Sequence, residues 1–389
     1  MRSIRPLLTA TGLVAVLALT ATACGPSEEA AADKPAATAS ADGNDSGGLP
    51  ADLADTLKKH GVDLDKWKSG EWKDWDKDKW LHEAKDFVNP VIDGLWKPDR
   101  MKAAKDPAKT MSAGDLSGGQ GVSDPEPEPV TAEREKTPYH DYAAPVGKVF
   151  FDSPEGTMVC SGTVVKDPKN PGRSNLVWTA GHCVHAGAKG GWYRNIVFVP
   201  AYNDKGKDAA ALKNAQPQEV APYGAYWADW ASTSGEWLAD GGPTGGEGAP
   251  YDYAVLHVKP EHGTKSLEET VGNALPVDFD VPEAASSNPM GAWGYPAAPP
   301  YDGLIMHKCV DLPGRLSISP GTPTMYRIGC TMTGGSSGGG WFSETTDGKL
   351  ALVSNTSIGP ATAGWLAGPH LGEGAQQIFT MMSEKFGAR

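Results

Sequence analysis

Basic side chains are in short supply in this sequence: 35 Lys and Arg face 48 Asp and Glu over 389 residues, a formal net charge of −13. Nucleic-acid phosphates require a basic footprint, so no nucleic-acid partner is expected. The acidic balance otherwise speaks only to solubility. Cysteine is also scarce, at five residues, and no internal repeat is found. Glycine (48) and proline (32) are plentiful, and an apolar fraction of 39% suffices for a sizeable core, which argues against wholesale disorder. The length predicts two or three folded units.

The N-terminus, "MRSIRPLLTATGLVAVLALTATACGPS", has a charged start (Arg2, Arg5), an apolar stretch Leu7 to Ala23 and a small-residue cleavage site. Residues 1–23 therefore read as a secretory signal peptide. The run "LTATAC" resembles a bacterial lipobox, with Ala21 where leucine is commoner, and predicts lipidation of Cys24. The protein is then expected outside the cell, held to the membrane surface by that lipid. With Cys24 so used, Cys160, Cys183, Cys309 and Cys330 remain for two disulfides. Three connectivities are possible, and the local one, Cys160–Cys183 with Cys309–Cys330, closes two loops of about 22 residues.

Composition divides the rest. Residues 24–48 read as a disordered tether. Residues 49–102 form a small Trp-rich segment with helical spacing (Leu53, Leu57, then Trp72, Trp75, Trp80, Ala84, Phe87–Val88), predicting short helices that end near Pro98. Its indoles fit either core packing or stacking on sugars. Residues 103–138, including "DPEPEPV", read as a Pro/Glu-rich linker. From Tyr139 to the C-terminus, residues 139–389 carry short apolar runs between glycine and proline turns, an all-β pattern. A terminal helix is expected from Ile378, Met381–Met382 and Phe386.

Three short motifs carry chemistry. "NLVWTAGHCV" runs an apolar strand into a small-residue turn at His182. Read alone, that histidine fits a structural role as well as a catalytic one. A metal role with Cys183 and His185 finds no second Cys/His cluster, so no metal is expected. "GAPYDYAVLHV" opens a strand with Asp252, a placement that costs free energy unless the carboxylate is paired. "TMTGGSSGGG", Thr331 to Gly340, sits between apolar runs and so is no linker. Without a Lys-Ser/Thr pair or a following helix it is no phosphate cradle either. Glycines around a serine leave room for substrate and let backbone N–H groups point at a developing oxyanion.

"TAGHC", "DYAVL" and "GGSSGGG", in that order, resemble the trypsin-like (chymotrypsin-fold) serine proteases, and especially the bacterial glutamyl-endopeptidase-like branch. The resemblance covers residues 139–389 and implies an all-β fold of two six-stranded antiparallel barrels with a C-terminal helix. It implies His182 as general base and acid, Asp252 as its orienting partner, Ser337 as nucleophile, and the N–H groups of Gly335 and Ser337 as the oxyanion hole. Protein or peptide substrates follow, without a cofactor.

Two departures stand out. Ser336 occupies a position where many members carry an aspartate that pairs with a newly released N-terminus, so no such activation is expected here. The 70 residues from His182 to Asp252 exceed the compact members' spacing, and the insert with Trp227, Trp230 and Trp237 either overhangs the cleft or covers a barrel. For substrate binding, Thr331 is expected at the base of the primary pocket and Ser354 beside the catalytic aspartate, with Val353 where glutamate-selective relatives carry histidine. The expected function is a secreted serine endopeptidase. The alternatives are a non-catalytic surface binding protein on the same fold and an esterase.

Overall fold

A computed structural model describes residues 87–107, 110–111, 122–188, 190–243, 245–282, 288–345 and 348–387. They fall within one unit, Gly47–Arg389. The signal peptide, Cys24, the tether and most of the Trp-rich segment lie outside the described residues.

Two short strands come first, β1 (Thr110–Met111) and β2 (Glu133–Arg134). Six more follow: β3 (Val146–Ser153), β4 (Gly156–Val165), β5 (Leu176–Thr179), β6 (Arg194–Pro200), β7 (Tyr226–Thr233) and β8 (Ala254–Pro260). They close into an antiparallel barrel in the order β3-β4-β5-β8-β7-β6. β3 ends in a tight hairpin with β4, Ser153 opposite Gly156. Both strands are buried over most of their length, hence the long apolar runs "VGKVFF" and "MVCSGTVV".

The later strands are β9 (Met290–Gly294), β10 (His307–Asp311), β11 (Gly314–Leu316), β12 (Met325–Cys330), β13 (Gly340–Glu344), β14 (Leu350–Asn355), β15 (Gly359–Pro360) and β16 (Gly364–Gly368). They form a five-stranded sheet, β14-β13-β9-β10-β2, and a three-stranded sheet, β11-β12-β16, while β15 pairs in parallel with β1. The second half is thus two antiparallel sheets, joined by the Cys309–Cys330 disulfide between β10 and β12. The other disulfide is Cys160–Cys183. The largest fully buried side chains include five tryptophans, Trp178, Trp227, Trp237, Trp341 and Trp365. Trp178 binds the two halves together, its indole N–H donating to Asn355 Oδ1 at 2.9 Å.

The C-terminal helix is Glu373–Phe386. It buries Ala375, Phe379 and Met382, while Met381 is exposed. It returns to the first barrel, where the Phe386 ring stacks on His257 with centroids 3.7 Å apart.

The helices expected ahead of Pro98 fall mostly outside the described residues; among those described, a short helix, Pro98–Ala103, begins at that proline, which suits a first helical turn, whose N–H needs no partner. Stretch 103–138, expected as a linker, is tied down where it is described. β2 extends the five-stranded sheet, pairing Arg134 with His307, and Asp124 receives Arg315 Nη2 at 2.7 Å. Upstream, the Asn89 amide bridges the Ile196 and Ala228 carbonyls, and Arg100 pairs with Asp152 at 2.6 Å. Prolines and carboxylates remove local structure but do not prevent docking onto a surface that supplies backbone partners and arginines.

Candidate active site

The ladder between β5 and β8 sets Thr179 opposite Ala254. Two residues before Ala254 lies Asp252, and three after Thr179 lies His182, so one barrel edge brings both side chains together. The Asp252 carboxylate accepts three hydrogen bonds at its two oxygens. Oδ1 takes the His182 backbone N–H at 2.7 Å, and Oδ2 takes His182 Nδ1 at 2.6 Å and Ser357 Oγ at 2.5 Å. A carboxylate only accepts, so Nδ1 carries the proton and Nε2 is the basic nitrogen. Nε2 is buried without a hydrogen-bond partner among the described residues. Burial alone would push the Asp252 carboxyl up, but His182 and the hydrogen bonds from His182 and Ser357 hold it below its ordinary value.

The turn Gly181–Cys183 that presents His182 is crowded. A Cβ on Gly181 would lie 2.7 Å from Thr233 Oγ1 and 2.9 Å from the Trp237 ring. Cys183 is fastened to β4 through Cys160. The insert ahead of Asp252 thus covers a barrel and backs the site: Trp237 is fully buried 6.1 Å from the His182 ring, its indole N–H donating to the His185 carbonyl. Trp227 is buried too, whereas Trp230 is partly exposed under Lys385. Cys160, Cys183 and His182 are close enough to share an ion, but both sulfurs are spent in the disulfide.

The serine loop comes from the second half. Gly335 has φ +94°, and a Cβ there would lie 2.7 Å from the Tyr295 carbonyl, so glycine alone fits. Ser161 on β4 holds the loop from the other half: its hydroxyl donates to the Gly335 carbonyl at 2.9 Å and accepts the Tyr295 N–H, and its N–H donates to the Ser337 carbonyl at 2.7 Å. Ser336 is buried, its hydroxyl donating to the Thr333 carbonyl at 2.7 Å. Among the described residues, the N–H groups of Gly335 and Ser337 have no backbone acceptor. Among the described residues no hydrogen bond joins Ser337 to His182 Nε2; a serine hydroxyl that reaches such a nitrogen and unspent N–H donors can attack a carbonyl whose oxyanion those donors then receive.

A cleft of about 170 Å³ runs beside Ser337. Its walls include Met332, Thr333, Gly334, Ala298, Pro299, Thr356 to Pro360 and Trp365, and Asp106 and Thr110 from the front segment line it too. Among the described residues, Asp106 is the only charged one along it. A larger cavity of about 600 Å³, bordered by Lys169, Arg173, Lys259 and Phe386, shares no residue with this site.

Three sequence expectations shift. Thr331 is not in the cleft; its hydroxyl accepts the Ala132 N–H at 2.8 Å and contacts the Tyr301 hydroxyl. Ser354 does not touch Asp252 but donates to the Pro369 carbonyl at 2.7 Å. Val353 is buried in the core of the second half. The roles move three residues on because β14 ends at Asn355: Thr356 lines the cleft and Ser357 reaches Asp252. Asn355, also missed, donates to the Asp252 carbonyl at 3.0 Å. Two serines three apart in "SNTS" leave the choice to the strand's end, which no local pattern marks.

Neither the models of known protein families nor the curated proteins give a match. Solved structures do. A thermostable serine protease, AL20, from an extremophilic microorganism is 32% identical, covering 63% of this chain and 99% of that one, with a TM-score of 0.51. The protease Anisep from Arthrobacter nicotinovorans is 27% identical over 65% of this chain and 99% of its own, again with a TM-score of 0.51.

Proposed function

Because this chain belongs to the trypsin-like serine proteases, we propose that it is an exported endopeptidase that cleaves peptide bonds through an acyl-enzyme on Ser337. Ser337 Oγ attacks the scissile carbonyl carbon while its proton passes to His182 Nε2. The imidazolium so formed is stabilised by Asp252, and the oxyanion is received by the N–H groups of Gly335 and Ser337. The C–N bond breaks as His182 returns the proton to the leaving amine, and water repeats the sequence to release the acid. Each oxyanion donor is worth about 2.7–4 kcal/mol of transition-state stabilisation.

The observation that carries this reading is the buried His182–Asp252 pair, with its basic nitrogen left over, beside a serine loop whose N–H groups are unspent. The loop has this form in the uncut chain, with Ser336 satisfied by Thr333 rather than by an ion pair, which supports a site shaped without a new N-terminus. The cleft's volume of about 170 Å³ supports side chains of modest size. Two disulfides suit an oxidising compartment, and we place the enzyme at the cell surface through lipid on Cys24.

A serine-directed fluorophosphonate tests the reading. Label should map to Ser337, vanish in Ser337→Ala and persist in Ser336→Ala, and chromogenic peptides should be hydrolysed in parallel. A folded chain that neither labels nor turns over favours a binding protein. Mass spectrometry of the membrane fraction should find diacylglycerol on Cys24; an unmodified soluble chain would remove the anchor.

A further inference from the structure

The cleft beside Ser337 has walls from two sources, and one of them is the chain's own front segment. After the helix Pro98–Ala103, Lys105 joins the free flank of β4 in the first barrel: its N–H donates to the Thr157 carbonyl at 3.0 Å, and its carbonyl accepts the Val159 N–H at 2.7 Å. The next residue, Asp106, lays its carboxylate over Gly334, two residues before the serine pair, where any Cβ would collide with it. Thr110 and Met111 then pair in parallel with Gly359 and Pro360 in the second half. Met111 is only 3% exposed and is buried with Ile358, Trp365, Leu316 and Met325. The described pieces of this segment therefore touch both halves and line the space between them.

Gly359 lies two residues beyond Ser357 and lines the same cleft as Ser337. A backbone edge can hold one chain at a time. Gly334 and Ser337 border the same cleft as Asp106 and Thr110. Yet among the described residues no backbone carbonyl, of the segment or of any other part, is received by the N–H groups of Gly335 or Ser337. The described pieces of the segment line the approach, and none of their carbonyls is received by those N–H groups.

We propose that Lys105–Pro107 and Thr110–Met111 act as an autoinhibitory strap, a segment of this chain that occupies the substrate cleft and must leave before a peptide can bind. This rests on the protease reading. It also separates two events: the oxyanion loop is formed in the uncut chain, and what the uncut chain lacks is access. The anchors to either side, Arg100 on Asp152 and Asp124 on Arg315, are ion pairs of the strap's flanks with the body of the protein, so the strap competes from within the molecule rather than from solution.

An occupant that competes with substrate raises the apparent KM by the reciprocal of the open fraction and leaves kcat unchanged. The test uses the full-length ectodomain without proteolysis, as wild type, Met111→Ala and Asp106→Ala. Chromogenic-peptide kinetics should show Met111→Ala with KM at least tenfold lower than wild type and kcat equal, Asp106→Ala shifted the same way by a smaller factor, and fluorophosphonate labelling accelerated in the same order. A synthetic peptide spanning residues 104–111 should return Met111→Ala toward wild-type KM as a competitive inhibitor. Should Met111→Ala fail to fold, Asp106→Ala, which alters only a half-buried side chain, carries the test. Equal KM and labelling rates in wild type and variants, with no effect of the peptide, overturn the strap while leaving the protease reading intact. Failure of every form to label Ser337 overturns both.

Discussion

Replacing Asp252 by asparagine probes the site with almost no change in shape, and the hydrogen bonds dictate how the amide must lie. Oδ1 accepts the His182 backbone N–H at 2.7 Å, a donor that cannot turn away. The amide oxygen therefore takes that place, because an NH2 group there would leave a buried donor facing a donor at about 1–3 kcal/mol. The NH2 then faces His182 Nδ1 and Ser357 Oγ, partners that can yield by a tautomer change and a hydroxyl rotation. With Nδ1 now accepting, the proton sits on Nε2, and the imidazole cannot take the serine proton. The expected result is a fall in kcat of about 10⁴, equivalent to roughly 5.5 kcal/mol of transition-state stabilisation, with KM little changed. Burst and steady-state kinetics on a chromogenic ester measure kcat and KM, and ¹⁵N chemical shifts of the His182 ring report the tautomer. A loss below tenfold in a folded variant, or an Nδ1-protonated ring, would refute the reasoning.

Other perturbations separate neighbouring residues. Ser357→Ala removes a charge-assisted bond to the buried carboxylate and should cost about 1.5–3 kcal/mol of stability together with a lowered kcat. Ser354→Ala, which loses only its bond to Pro369, should cost about 1 kcal/mol and leave kcat within twofold; the reverse ranking by urea denaturation and kinetics would restore the earlier assignment. Lys148 is fully buried, and burial holds its ammonium down to about 7, though Phe150, Tyr202 and Tyr295 ring it at cation–π distances. Between that value and an unfolded value of about 10.4 the unfolded chain binds the extra proton, so stability should rise with pH by up to about 1.4 kcal/mol per unit. Lys148→Met should flatten that slope between pH 7 and 9, and identical slopes in urea titrations would count against a neutral buried amine. Cys160→Ser/Cys183→Ser opens a loop with a sequence separation of 23 and should cost about 3 kcal/mol, read as a lowered urea midpoint. An unchanged midpoint would mean the turn at His182 is held by packing alone.

How much of this could be read beforehand depends on whether a feature has a local signature. His182 and Asp252 each sit at the end of an apolar strand, and Ser337 sits in a run of glycines whose backbone freedom the loop uses, so short windows sufficed to single them out. The all-β character of residues 139–389 was equally plain from apolar runs between turns. Ser357 was missed in favour of Ser354 because the deciding event, the end of β14 at Asn355, depends on pairing with β13. Trp237 was noticed but not placed, since only the fold brings it under Gly181. The front segment was read as a linker from its prolines and glutamates. A two-residue strand such as Thr110–Met111 has no periodicity to find, and its partners lie some 250 positions away in the sequence.

Ser161 has a consequence for the order in which the chain becomes competent. One residue of the first barrel fixes the carbonyls of Gly335 and Ser337, both made last. A chain that has emerged only as far as β8 already owns its histidine and aspartate but has nothing to attack with. A chain whose halves have separated on heating keeps intact hairpins yet loses the loop that the serine stands on. Hydrolysis is therefore a reporter of docking between the halves rather than of either half's integrity, and thermal inactivation should run ahead of the melting of the barrel.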